Sequence, residues 1–218
     1  MKFVALVSGG KDSICNIIEC IQNNGHELVA CVHLGRPHTC EEESYMFQTA
    51  ASEVVRVVVE ECLQVPFILY ERKGKSINTS LVYETNDNDG NGTSEQYDEV
   101  EDIYNALQLA QQQLHPETFQ GVSSGAILST YQRVRIEHVC NRLNLISLSY
   151  LWRIAPQHTL LQKMIHDYQI RAVLVRTACP PGLLPHRHLN RSIAVSLKAA
   201  TTPQTIERCW RKGKMDRW

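Results

Sequence analysis

The sequence predicts an α/β protein built on a doubly wound, mostly parallel open sheet with helices on both faces. Three observations carry that prediction. Short apolar runs of four to eight residues alternate with amphipathic stretches, the rhythm of βα units. The first apolar run leads directly into Ser8-Gly9-Gly10-Lys11-Asp12-Ser13 and then into a helical pattern. A composition of 43% hydrophobic and 21% charged residues over 218 positions is that of a globular chain long enough to bury a full core.

Strands are expected at residues 3–7, 28–34, 67–70, 121–122 with their neighbours, 145–147 and 172–175, each a short apolar run. Helices are expected between them, at 12–23, 44–62, 99–113, 132–143 and 158–168. In the helix from Gln132, the residues Val134, Ile136, Val139, Cys140 and Leu143 form an apolar stripe, leaving Arg133, Arg135, Glu137 and Arg142 on other faces. The run Asp98-Glu99-Val100-Glu101-Asp102 opens a helix, where negative charge complements the dipole. Residues 86–97 are polar and Gly-rich and read as a variable surface loop. Asp87, Asp89, Asn91, Gly92 and Asp98 also fit the register of an EF-hand loop, with a short carboxylate where a Glu is required.

Charge narrows the partners. The net charge is -1, but residues 1–175 carry 13 Lys+Arg against 21 Asp+Glu, and residues 176–218 carry nine against two. An acidic body disfavours nucleic acid as a ligand. No stretch approaches the ~20 apolar residues of a membrane span. Neither the N-terminus nor the eight scattered cysteines, which contain no CxxC pair, read as a secreted or zinc-bound module. A cytoplasmic protein with reduced thiols is therefore expected, organised as a ligand-binding domain over residues 1–175 and a basic tail over 176–218.

The first βα turn carries the chemistry. A strand ending in Ser-Gly-Gly and opening a helix aims backbone N–H groups and the positive helix end at an anion. Gly9 and Gly10 allow a tight turn and close approach, Ser8 and Ser13 add hydroxyls, Lys11 adds a cation, and Asp12 caps the helix or holds Mg2+. Neither the Walker A nor the GxGxxG pattern fits. SGGKDS after an N-terminal strand resembles the PP-loop of the adenine-nucleotide alpha hydrolase, or ATP pyrophosphatase, superfamily, which implies that ATP is cleaved between its α and β phosphates.

A second block, GVSSGAILSTYQRVRIEHVCNRLNLISLSYLWR at residues 121–153, joins Ser44-Tyr45-Met46-Phe47-Gln48-Thr49 and the Asp98–Asp102 run in the same order and at similar spacing as in the diphthine-ammonia ligase family. The resemblance spans residues 1 to about 175. It implies that ATP adenylates the carboxylate of diphthine on translation elongation factor 2, that ammonium displaces AMP, and that Mg2+ assists. Such a site must neutralise phosphate charge and bring two anions together. Lys11, Arg133 and Arg135 are the candidate cations, and the Gly125-Ala126 turn offers further backbone donors. Glu99, Glu101, Asp102 and Glu137 are the candidates to bind ammonium and accept its proton. Arg133 and Arg135 point to different faces of one helix, so no more than one is expected at ATP. Tyr45 and Trp152 either face the substrate or fill core.

The family's Gly-Glu-rich GEGGEYETF segment has no counterpart in these 218 residues. Two outcomes stay open from the sequence: an active ATP-dependent ligase, or a nucleotide-binding relative with impaired turnover, with another PP-loop ATP pyrophosphatase as the broader alternative.

Overall fold

A computed structural model describes residues 1–35, 46, 52–78, 80, 83, 98–176 and 184–194. The chain divides into two compact units, Met1–Trp152 and Arg153–Trp218.

Among the described residues, the first unit holds five strands: β1 (Lys2–Leu6), β2 (Glu27–Gly35), β3 (Phe67–Glu71), β4 (Gly121–Ser123) and β5 (Ile146–Leu148). They form one sheet in the order β3-β2-β1-β4-β5, and every neighbouring pair is parallel. Parallel neighbours demand crossover connections, and helical segments supply them. α1 (Lys11–Ile18) follows β1 and runs on into a π-helical turn at Glu19–Asn23. The connection before β3 ends in a 3-10 turn at Ser52–Val54, a single α turn, α2 (Val55–Val57), and a π turn at Val58–Leu63. It is an irregular helix rather than the long regular one expected from residue 44. α3 (Glu99–Leu114) precedes β4, and α4 (Thr130–Arg142) joins β4 to β5.

Alternation along β1 divides the core between the two faces of the sheet. Val4 packs with Ile103, Ala106 and Leu107 of α3 and with Ile136 and Val139 of α4. Phe3, Ala5 and Val7 pack on the other side with Ile17 of α1 and with Val55 and Val59. Burial on both faces is why these strands read as continuous apolar runs. The expected stripe of α4 is confirmed at Ile136, Val139 and Cys140, all buried. Cys15, Cys20, Cys31 and Cys140 are buried thiols, whereas Cys62 is exposed. Burial pushes the Cys31 and Cys140 thiols up to about 12, so both stay protonated and inert.

In the second unit, α5 (Gln157–His166) buries Leu160, Leu161 and Met164, and α6 (Pro185–His188) is a single short turn. Residues 172–175 depart from expectation. They add no sixth parallel strand; Val173 instead forms an antiparallel bridge with Ser192. The reason is local satisfaction of the backbone: Leu174 N–H donates to Arg191 O, Asn190 N–H to Leu174 O and Ile193 N–H to Ala172 O. Among the described residues, no helix is long and apolar enough to cross a membrane.

Candidate functional site

The chain leaves β1 toward β2 and β3, then crosses back to β4 and β5 on the other side, so the strand order reverses between β1 and β4. In a parallel sheet, that reversal opens a crevice at the carboxyl ends of the two strands. The segments emerging there are Ser8–Ser13 after β1 and Ser124–Ser129 after β4.

Residues 8–13 form a tight turn in which Gly9 has a φ of +73°, a conformation that a side chain would strain. Gly10 is the N-cap of α1 and, as glycine, offers no side-chain cap to the helix. Ser13 Oγ donates to Gly10 O at 2.9 Å, fixing the turn. Lys11 Nζ lies 2.7 Å from Asp12 Oδ1, and both side chains are mostly buried. From the other wall, Gly125 approaches so closely that a Cβ there would lie 2.6 Å from Ser13 N. Ser8, Gly9, Gly10, Lys11, Asp12, Ser13 and Gly125 are therefore one cradle, in which the Gly125 turn packs backbone against backbone on the first turn of α1. Such a cradle fits a polyphosphate, and the single carboxylate of Asp12 fits Mg2+, which takes few protein ligands when phosphate supplies the rest. Among the described residues, no cluster of three or more His, Cys, Asp or Glu side chains could hold a metal unaided.

A second group assembles on α4. Ser129 caps this helix, its Oγ accepting from Gln132 N–H at 3.2 Å. Arg133 Nε donates to Glu137 Oε1 at 2.6 Å, and its guanidinium lies 4.9 Å from the ring centre of Trp152. Arg133, Glu137 and Trp152 are thus brought together, each partly accessible to solvent. Tyr45 lies outside the described residues.

The remaining candidates are elsewhere. Arg135 is 0% exposed. Its Nη2 donates to Asn78 O at 2.5 Å and Ser80 O at 2.9 Å, and its guanidinium stacks 3.3 Å from the Tyr131 ring centre. It faces away from Arg133, as their spacing requires, but grips a loop instead of a ligand. Glu101 accepts two bonds from Arg142, at 2.6 and 2.9 Å, which commits its carboxylate to the last turn of α4, roughly 18 Å along the helix from the cap at Ser129. Glu99 is 1% exposed, accepts from Ser76 Oγ at 2.7 Å and lies 3.9 Å from Arg72.

The acidic run from Asp98 to Asp102 is consequently a scaffold and not a solvated helix start. Asp98 caps Val100 N–H and also accepts from Ile77 and Asn78 N–H. Those bonds draw on both its oxygens and make Asp98 a helix cap; the rest of the calcium register lies outside the described residues. Asp102 accepts from Lys73 and Gly74 N–H, while burial raises its carboxyl above the usual range.

Two buried polar residues escaped the sequence reading. Asn16 of α1 is 0% exposed and bonds to β4, β5 and the turn that follows. His33 of β2 has Nδ1 2.7 Å from Val7 O, one residue before the loop. A lone Asn inside an apolar helix face and a lone His inside a β-strand were the available signals.

Fold and site together define a Rossmann-like α/β protein of the PP-loop class. The profile of the diphthamide synthase N-terminal domain matches residues 1–84. The chain is 40% identical over 198 residues to the diphthine--ammonia ligase of Bos taurus, covering 88% of this chain and 67% of that protein. The Danio rerio protein of the same name is also 40% identical, over 89% of this chain and 71% of its own length, and the Homo sapiens one is 39% identical, over 88% and 67%. The chain belongs to the diphthine--ammonia ligase family. The matched share exceeds the four fifths expected from the motifs, so the similarity runs past residue 175 into the basic segment.

Proposed function

We propose that the chain catalyses ATP-dependent amidation of diphthine on translation elongation factor 2, acting in the cytosol with ammonium as the nitrogen source. The observation that carries this reading is the glycine-built turn at the β1/β4 switch point, with Gly125 against Ser13, in a chain 40% identical to proteins named for that ligation.

The chemistry follows from the poor leaving group of a carboxylate. A carboxylate oxygen attacks the α-phosphorus of ATP, the bond to the bridging oxygen breaks, and pyrophosphate leaves. Ammonia then attacks the acyl carbon, the acyl–oxygen bond breaks, and AMP leaves. Backbone N–H groups of the Gly9–Ser13 turn, with the hydroxyl of Ser8, receive the pyrophosphate, Lys11 offsets its charge, and the Ser13 hydroxyl holds the turn through Gly10 O. The Gly125 turn closes the opposite side. Mg2+ held at Asp12 would supply further charge neutralisation. Arg133 and Trp152 form the wall that meets the substrate, and Glu137, held by Arg133, receives the proton released as ammonium becomes nucleophilic. Arg135, Glu99 and Glu101 maintain the framework behind that wall.

The test is AMP formation by the 218-residue chain with and without diphthine-bearing elongation factor 2 and ammonium, alongside Lys11→Ala. AMP that requires both co-substrates and falls at least about a hundredfold in the variant is the expected result. ATP that raises the melting temperature without yielding AMP would reduce the function to nucleotide binding.

A further inference from the structure

Asn16 is a side chain with every hydrogen-bonding group engaged across three elements. Its Nδ2 donates to Ser123 Oγ in β4 and to Leu148 O in β5, both at 2.7 Å. Its Oδ1 accepts from Leu151 N–H at 3.3 Å. The amide has two donors and one acceptor oxygen, so no other short polar side chain of this size satisfies all three partners. The residue sits in α1, whose first turn is half of the anion cradle, and its partners lie at the carboxyl ends of the strands beyond the switch point. Leu151 immediately precedes Trp152, whose N–H closes a turn on Ser149 O at 3.1 Å. Trp152 in turn carries the Arg133 guanidinium on its ring. One amide therefore links the helix that starts at the cradle to the turn that presents the aromatic wall.

We infer that Asn16 is a positioning residue that fixes the 149–152 turn, and with it Trp152 and Arg133, at a set distance from the phosphate cradle. This rests on the reading of Trp152 and Arg133 as the substrate wall. Asn16 touches no reacting atom in this arrangement. The cradle donors are main-chain groups of the turn before α1 and of its first turn, so loss of the Asn16 amide leaves phosphate binding intact and displaces the opposite wall. A displacement of about 1 Å at such a wall is enough to lower turnover by about a hundredfold.

The experiment uses the full chain with Asn16→Ala, Asn16→Asp, Trp152→Ala and the double variant Asn16→Ala/Trp152→Ala. ATP affinity, read from the ATP-dependent rise in melting temperature, is expected to stay within about threefold of the parent in both Asn16 variants. Acceptor kcat/KM is expected to fall by about tenfold to a hundredfold, and the double variant to lose little more than the worse single variant, because both act through one turn. Additive losses, or an ATP affinity that falls in step with turnover, would overturn the inference. A separate arm needs no activity. With Trp210 and Trp218 replaced by Phe, Trp152 is the sole tryptophan, and Asn16→Ala is expected to shift its emission maximum and its quenching by iodide. An unchanged spectrum in the folded variant would sink the positioning role even where the parent chain forms no AMP, and a shifted spectrum in an inactive parent would retain it while removing the proposed reaction.

Discussion

Gly125 shows, at the scale of one residue, how closely two turns pack where neither carries a side chain at the contact. A methyl group there meets the backbone nitrogen of Ser13 at 2.6 Å, and backbone cannot swing aside as a flexible side chain can. Gly125→Ala is therefore expected to force the two turns apart, with a loss of about 1 to 3 kcal/mol in thermal or denaturant unfolding and a larger proportional loss of ATP affinity. Three histidines, one buried and two partly buried, set a pH dependence. Burial holds His26, His33 and His138 below their ordinary value of 6.5; the Val7 carbonyl partly offsets this at His33, and Glu101 does so at His138. The unfolded chain thus takes up protons before the folded one does. The stability linked to these groups is fully present above pH 6.5 and is lost as pH falls from there through their folded values. Urea midpoints measured at half-unit steps from pH 7.5 to 5 are expected to decline below 6.5. A flat profile would mean that these rings charge as easily in the fold as outside it.

At the scale of elements, Arg135 organises the approach to α3 and α4. Its donors satisfy the carbonyls of Asn78 and Ser80, while Asp98 satisfies the N–H groups of Ile77 and Asn78, so one short loop is held from two sides. Arg135→Met is expected to lower stability by about 1 to 3 kcal/mol, since the Asn78 and Ser80 carbonyls lose the buried donor that holds their loop. Turnover per folded molecule should change far less than in Arg133→Met, which a denaturation curve and an activity assay on the same samples would reveal. This contrast also marks the limit of what the sequence displays. The five sheet strands were legible because burial on both faces writes apolar runs, and the α4 stripe because its buried positions recur at helical spacing, whereas the equally apolar run at 172–175 stays outside the sheet. The SGGKDS junction was legible as a strand–turn–helix turn because Gly9 takes a positive φ that glycine adopts without strain. The roles of Arg133 and Arg135 were not, because helical spacing says that two residues diverge but not which one meets protein and which meets solvent. Asn16 was hidden for a related reason: its partners are 107 and 132 residues away in the chain.

For the whole molecule, both core clusters and all five parallel strands lie within residues 1–152. A fragment ending at Trp152 is expected to fold cooperatively and to gain stability from ATP, measured by melting with and without nucleotide; a fragment that stays unfolded would show that the second unit is needed to complete the core. The sheet has a further consequence in time. Its middle strand, β1, is synthesised before every strand it pairs with, and one of its two neighbours, β4, lies 118 residues downstream. At about 5 to 20 residues per second, the ribosome leaves one side of β1 without its partner for roughly 6 to 24 s. Through that interval the apolar strand Phe3-Val4-Ala5 has only β2 beside it, which makes the nascent chain, rather than the finished protein, the form most in need of chaperones.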